Sequence, residues 1–189
     1  YRYAPSQWET LVNHGGIVTN LKRNKWKSLL VPSFVLAQLW TAWRLVRRRD
    51  IQIVHAHWLV PQGLTAAVLQ LLPGPGLHFV VTSHGADLFA LKGAVLQRIK
   101  RHVIRRASAI SVVSEAMRHR LRQIDDDGAN AAQVLPMGVD LQSTFVPSAH
   151  IHRSNNELLF VGRLVEKKGL RHLLDAMPIV LAARPDARL

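Results

Sequence analysis

Apolar residues in this chain fall into short runs with two different spacings. Phe34, Val35, Leu36, Leu39, Trp40, Trp43 and Val46 recur every three or four positions, the repeat of one broad helix face. Pro32 near the start and Arg47-Arg48-Arg49 in the last turn suit the two ends of a helix over 32–49. Shorter apolar runs, rich in β-branched residues and bounded by polar or glycine-bearing turns, predict strands at 51–57, 78–82, 109–113 and 133–135. Helices are expected over 61–72, 91–107 and 115–124, the last capped by Ser114 and ended by Asp125-Asp126-Asp127-Gly128. Pro73-Gly74-Pro75-Gly76 reads as a turn.

Strands that alternate with helices and are themselves nearly all apolar predict an α/β protein whose parallel sheet is covered on both faces. Sheets of this kind bind ligands at the carboxyl ends of their strands. The polar residues collect at those ends: His55-Ala56-His57-Trp58, Ser83-His84-Gly85-Ala86-Asp87, Ser114-Glu115 and Met137-Gly138-Val139-Asp140. Residues 146–156 lack either period and read as a linker, so a first domain is expected over 1–145 and the start of a second over 157–189. The chain opens on Tyr1 rather than Met and stops after Leu189 where a strand can begin, the pattern of a fragment truncated at both ends.

Charge narrows the partners. The formal net charge is +13, of which residues 1–50 supply +7 and residues 51–110 supply +5, while residues 111–150 carry −2 and residues 151–189 carry +3. A surface this basic over its first 110 residues attracts anionic lipid headgroups, phosphorylated substrates or nucleic acid. No zinc-finger spacing, single-strand aromatic platform or basic-region heptad supports nucleic acid beyond the charge itself. The absence of cysteine excludes disulfides and thiolate chemistry within these residues. The greasy stretch from Leu29 to Val46 is interrupted by Pro32, Ser33, Gln38, Thr41 and Arg44, so it is expected to be a core or interfacial helix rather than a membrane span. Trp26, Trp40 and Trp43, among Lys22, Arg23, Lys25, Lys27 and Arg44, fit either a membrane-surface anchor or core residues beside a solvated basic loop.

Two segments carry candidate chemistry. In Phe160-Val161-Gly162-Arg163-Leu164-Val165-Glu166-Lys167-Lys168-Gly169, an apolar strand at 158–161 runs through a glycine turn into a helix. That layout gathers free backbone N–H groups, the positive end of a helix dipole and the cations Arg163 and Lys168 around one point, which suits a diphosphate. Lys167 is expected to face solvent, and Glu166 either steadies a cation or does nothing. The second segment centres on His84. Between Ser83 and Gly85 at a strand end, it can hydrogen-bond a hydroxyl or carry a proton near neutral pH, and Gly85 permits close approach of a ligand. Asp87 either orients His84 or a substrate hydroxyl, or caps the segment that begins at Leu88. His55 and His57 share one face of their strand; without a third ligand adjacent in sequence they suit polar cleft residues better than a metal pair. Trp58 is expected to pack at the mouth of the cleft.

Taken in order, five blocks resemble glycosyltransferase family 4, the retaining sugar transferases of the GT-B fold: 54–63, 82–89, 113–115, 135–140 and 160–169. The resemblance implies two Rossmann-like domains over a cleft, the first for the acceptor and the second for a nucleotide-sugar donor. It matches Gly162, Arg163 and Lys168 to the site that neutralises the leaving nucleoside diphosphate, as charge developing on that group requires, and His84 to a histidine beside the transferred sugar. His57, Trp58, Gly85, Asp87, Ser114, Glu115 and Gly138 are matched to the acceptor side or cleft lining. No cofactor and no bound metal are implied, and the leaving phosphate itself can accept the acceptor's proton.

The pattern departs from the family where Met137 replaces a common Asn, and where the glycine-rich amino-terminal segment and the paired-glutamate donor motif are absent. The reading is therefore a bacterial hexosyltransferase that builds a polysaccharide or glycolipid at the cytoplasmic face of a membrane, with these 189 residues inactive alone. The alternatives are a non-enzymatic binder of nucleic acid or another anionic surface, and an epimerase or phosphorylase on the same fold.

Overall fold

Five residues of alternating character, Ile53–His57, form strand β1, and the chain returns to the same sheet three more times: β2 (His78–Ser83), β3 (Ala109–Val112) and β4 (Gln133–Val134). All neighbours pair in parallel, in the order β1-β2-β3-β4, with His57 beside Thr82, Thr82 beside Ser111 and Ser111 beside Gln133. Parallel neighbours demand crossovers, and helices supply them. The helices are α1 (Ile17–Arg23), α2 (Leu30–Arg49), α3 (Leu64–Leu69), α4 (Ala86–Phe89), α5 (Ala94–Arg106), α6 (Glu115–Arg122), α7 (Asp126–Asn130) and α8 (Leu170–Ala183). The computed structural model describes residues 1–13, 17–72, 76–148 and 153–189, and for Val18, Ala129 and Lys167 the backbone alone. Residues 73–75 of the expected turn and 149–152 of the expected linker lie outside the described residues. The chain divides into two compact units, Tyr1–Gly138 and Val139–Leu189.

Alternation along the strands decides where the core of the first unit lies. Val54, Ala56, Phe79, Val81, Ile110, Val112 and Val134 point to one face, where they meet Leu59, Ala66, Ala67, Leu88, Val103, Ile104, Met117 and Leu121. His55, His57, Thr82, Ser111 and Gln133 share the opposite face and line a hollow of about 360 Å³. Among the described residues, then, helices cover one face of this sheet rather than the expected two. Apart from Ile53 and Val80, the residues of β1 to β3 on the other face are polar or small, His55, His57, His78, Thr82, Ala109 and Ser111, and offer little apolar surface to bury.

Several elements end where local chemistry requires. Ser114 accepts the Met117 N–H and begins α6, as its sequence position predicts. The helix expected over 61–72 starts only at Leu64, because Leu59–Gly63 forms an irregular turn with a cis Val60–Pro61 bond. Gly63 lies in this turn with no room for a side chain: a Cβ would stand 2.8 Å from Val103 Cγ1 and 3.2 Å from the Trp58 carbonyl oxygen. The aspartate run does more than stop α6. Asp126 opens α7, and the Asp125 carboxylate accepts from Arg105 of α5 at 2.7 Å, locking α5 against α7.

α2 is amphipathic in an unusual sense. Leu30 and Phe34 pack beside Leu11, Tyr3 and Ile17 in an amino-terminal cluster, and Val46 packs with Leu69 and Leu77. The side facing away is apolar too, and the 3-10 turn over Lys25–Leu29 continues it: Leu36 and Trp40 of α2 are 64% and 57% exposed, and Trp26 and Leu29 just before it 52% and 79%. The continuous helical stretch Lys25–Arg49 is long enough, and apolar enough over its central residues, to cross a membrane by length and composition, but its inner face is engaged with protein. Its inner side packs as a core helix would, and its outer side is exposed among the described residues.

In the second unit the strand expected at 158–161 does not form a ladder. A single parallel bridge joins Glu157 to Arg188, where the Leu158 N–H reaches the Arg188 carbonyl at 2.8 Å. Leu159 and Val161 stay exposed, because one bridging neighbour cannot pair a whole strand. α8 follows Gly169, which adopts the left-handed conformation at φ 75°.

Candidate functional site

The carboxyl ends of β1 and β2 are tied together. β1 ends at His57, and the next residue, Trp58, turns the chain at φ 82°, a strained value for a side chain of this size. Its N–H donates to the Thr82 carbonyl at 2.7 Å, and its own carbonyl accepts from Gly63 at 2.9 Å, so the turn is held at both sides. β2 ends at Ser83, and Gly85 at φ 100° lets the chain reverse immediately into α4.

Asp87 fastens these two turns. It is 1% exposed; Oδ2 accepts the Leu59 N–H at 2.7 Å, while Oδ1 accepts the Ser83 hydroxyl at 2.7 Å and the Gly85 N–H at 3.2 Å. The buried carboxylate bonds neither the His84 ring nor the start of the Leu88 segment; it ties the loop that carries His84 to the turn after β1. Lys100, fully buried on α5, completes the support: its ammonium donates to the carbonyls of Leu88, within α4, at 3.3 Å and Leu91, just past its end, at 2.6 Å. Burial pushes the Lys100 pKa down, the nearby Asp87 carboxylate partly opposes this, and Arg120 adds to the lowering. Sequence patterning misses Lys100 because a lysine in a basic helix ordinarily faces water.

Above this base stand three imidazoles. His57 Nδ1 and His84 Nε2 lie 2.9 Å apart with their rings edge to edge and 25° from parallel, and the His55 ring lies tilted against His57 at 4.4 Å, centre to centre. His55 Nε2 contacts Thr82 Oγ1 at 2.8 Å, and Thr82 Oγ1 contacts Ser111 Oγ at 2.6 Å, which extends the polar row across three strands. Partial burial, then the neighbouring His57 and His84, hold the His55 pKa below its ordinary value, so this ring stays neutral to lower pH than a free histidine. Among the described residues no group of three His, Asp or Glu side chains is placed to hold a metal ion. His55 Nε2 is engaged with Thr82, and His57 Nδ1 with His84 Nε2.

The remaining candidates divide. His57 and Gly138 line the same hollow as His55 and Met137. Trp58 sits half-buried in its turn, Ser114 serves as the α6 cap, and Glu115 pairs with Arg118 at 2.9 Å on the surface. None of these three lines the hollow. In the second unit, Arg163 and Lys168 are exposed on the turn before α8, and the Lys168 stem passes the site a Gly162 Cβ would occupy at 3.8 Å. No side chain caps α8 at Gly169, so its first turn presents backbone N–H groups beside these cations.

Asp140, the last residue of the Met137-Gly138-Val139-Asp140 block, anchors a tight turn. Its carboxylate accepts from the Ser143 hydroxyl, the Gln142 N–H at 2.9 Å, the Ser143 N–H at 3.0 Å and the Thr144 hydroxyl at 3.0 Å. The Ser143 hydroxyl and these further donors hold its pKa far below 3.8. A depressed carboxylate stabilises the fold fully above its unfolded pKa and loses that contribution as pH falls through the folded one. Carbon-13 NMR of the Asp140 carboxyl should therefore show no titration around pH 4; an ordinary aspartate midpoint would contradict the four-donor turn.

Comparison with known proteins agrees with this geometry. Residues 3–143 match the family model described as Glycosyltransferase Family 4. Among relatives, an uncharacterized glycosyltransferase of Methanocaldococcus jannaschii, MJ1178, is 24% identical over 176 residues, covering 93% of this chain and 45% of the relative. The phosphatidyl-myo-inositol mannosyltransferase of Mycobacterium tuberculosis is 31% identical over 144 residues, covering 74% of this chain and 36% of the relative. The putative teichuronic acid biosynthesis glycosyltransferase TuaC of Bacillus subtilis is 27% identical over 150 residues, covering 71% and 36%. The chain thus spans less than half the length of these relatives. A parallel α/β sheet of Rossmann-like type, with polar turns gathered at the carboxyl ends of its strands, accords with the match that covers most of it: the chain belongs to Glycosyltransferase Family 4.

Proposed function

We propose that the whole protein transfers a hexose from a nucleotide-sugar donor to a polysaccharide or glycolipid acceptor with retention of configuration, peripherally bound at the cytoplasmic face of a membrane. The observation that carries the reading is the pairing of two chemistries within one family member: an uncapped helix start beside Arg163 and Lys168, and an imidazole, His84, raised at a strand end on a rigid support. In this reading Gly162, Arg163, Lys168 and the first N–H groups of α8 take the diphosphate, whose negative charge grows as the bond to the sugar breaks. His84 hydrogen-bonds the transferred sugar, and the hollow lined by His57 and Gly138 belongs to the acceptor side. The acceptor hydroxyl gives its proton to the departing phosphate oxygen, so that no protein nucleophile and no cofactor are needed.

Titration calorimetry of the full-length protein with UDP and with GDP tests the donor half. Each of Arg163→Ala and Lys168→Ala should weaken binding of the preferred nucleoside diphosphate by about ten- to a hundredfold, the range expected for one charge-assisted contact. Affinity unchanged in both variants would count against the assignment. Tight, salt-sensitive DNA binding by a protein with no nucleotide affinity would support an anionic-surface binder instead.

A further inference from the structure

We propose that His57 is a positioning residue for His84: it accepts the Nε2–H of His84 at its own Nδ1 and so leaves His84 Nδ1 bare, as an acceptor, for a ligand hydroxyl. The inference deepens the functional reading above and rests on it for the ligand, but not for the pairing.

The argument begins with the 2.9 Å separation between His57 Nδ1 and His84 Nε2, across which two neutral rings share one proton. A neutral imidazole intrinsically favours the tautomer with its proton on Nε2. With both rings in that form, the Nε2–H of His84 meets the bare Nδ1 of His57, and neither ring is forced into its less favoured state. The reverse arrangement would require the Nδ1–H tautomer at both rings and leave His84 with no acceptor. The line between the His57 and His84 ring centres, 5.1 Å long, runs along the hydrogen bond, so the bond lies in both ring planes and holds them within 25° of each other, while His55, tilted against His57 and bonded to Thr82, limits the retreat of His57. Asp87 holds the loop backbone at Gly85 but does not bond the His84 ring, so orientation of the imidazole itself falls to His57. Which nitrogen of a histidine faces a ligand is set by the hydrogen bond that the other one makes.

The pairing is read directly in the 189-residue chain by long-range nitrogen–proton NMR of the histidine rings at pH 8. His84 should show a protonated Nε2 and a bare Nδ1. In His57→Leu its two tautomers should mix, whereas His57→Asn, whose Oδ1 falls near the position of Nδ1, should restore the single form. A His84 ring protonated on Nδ1, or a tautomer ratio unmoved by His57→Leu in a chain with unchanged amide dispersion, would overturn the proposal. In the full-length protein, His57→Leu should lower kcat by about tenfold or more with little change in donor KM, and His57→Asn should recover most of it. Sugar transfer unimpaired in His84→Ala would instead defeat the functional assignment of His84, and the NMR result would still decide the pairing.

Discussion

Asp87→Ala should cost the first unit about 3–5 kcal/mol of stability, the range for removing a buried charge and leaving its hydrogen-bond partners unpaired. One carboxylate at 1% exposure satisfies the Leu59 N–H, the Ser83 hydroxyl and the Gly85 N–H, and no water can replace it without opening the turn after each of two strands. The loss extends to α5. The Asp87 charge offsets part of the penalty for burying the Lys100 ammonium, and without it that cation is held only by the carbonyls of Leu88 and Leu91. Asp87→Asn should cost less, because its Oδ1 can still accept from Ser83 and Gly85, but its amide nitrogen would then face the Leu59 N–H donor to donor. Urea denaturation measures both. A midpoint for Asp87→Ala within error of the parent would show that the turns do not depend on this clamp.

A second large effect is expected at the outer side of α2. Trp26, Leu29, Leu36 and Trp40 form an exposed stripe at spacings of three, seven and four, the seam of one helix face. Residues 10–49 contain eight Lys and Arg and no acid. Arg44 lies over the Trp40 ring at 6.0 Å and Arg47 over Trp43 at 5.6 Å, so cations border the aromatic surface. Apolar side chains among cations suit the boundary between lipid headgroups and acyl chains. Sedimentation with vesicles of 30% phosphatidylglycerol in phosphatidylcholine should show the chain bound at low salt and released as salt is raised. The double substitution Leu36→Glu and Trp40→Glu removes apolar area worth about 3 kcal/mol in total and should weaken vesicle binding about a hundredfold. Both positions are exposed, so thermal stability should hardly change. Equal binding by parent and variant would remove α2 from any membrane contact.

Legibility in the sequence followed burial. Strands β1 to β3 and helices α2, α5 and α6 were readable within a few residues, because their apolar spacing is the direct cost of having one side against a core. The late start of α3 was not, since Pro61 reads as a helix opener by propensity while the chain at 59–63 is irregular, with Val60 outside the helical region. The strand at 158–161 failed for the opposite reason: its apolar composition is right, but a strand exists only with a ladder partner, and the described neighbour reaches it at one point. At the site, residue type and place along the chain were readable, but the partners of each side chain were not. Nothing in the spacing of Ser83 and Asp87 says that the carboxylate bonds Leu59, 28 positions earlier.

By itself, then, the sequence determined the α/β class, the parallel strands, the family and the polar turns at strand ends, all consequences of local period and of motifs read within ten residues. Tertiary structure alone decided that Asp87 and Lys100 are buried supports, that His57 meets His84, and that the outer face of α2 remains uncovered. Hydrogen bonding and burial between segments far apart in sequence depend on how the sheet brings those segments together, and no local pattern encodes that distance.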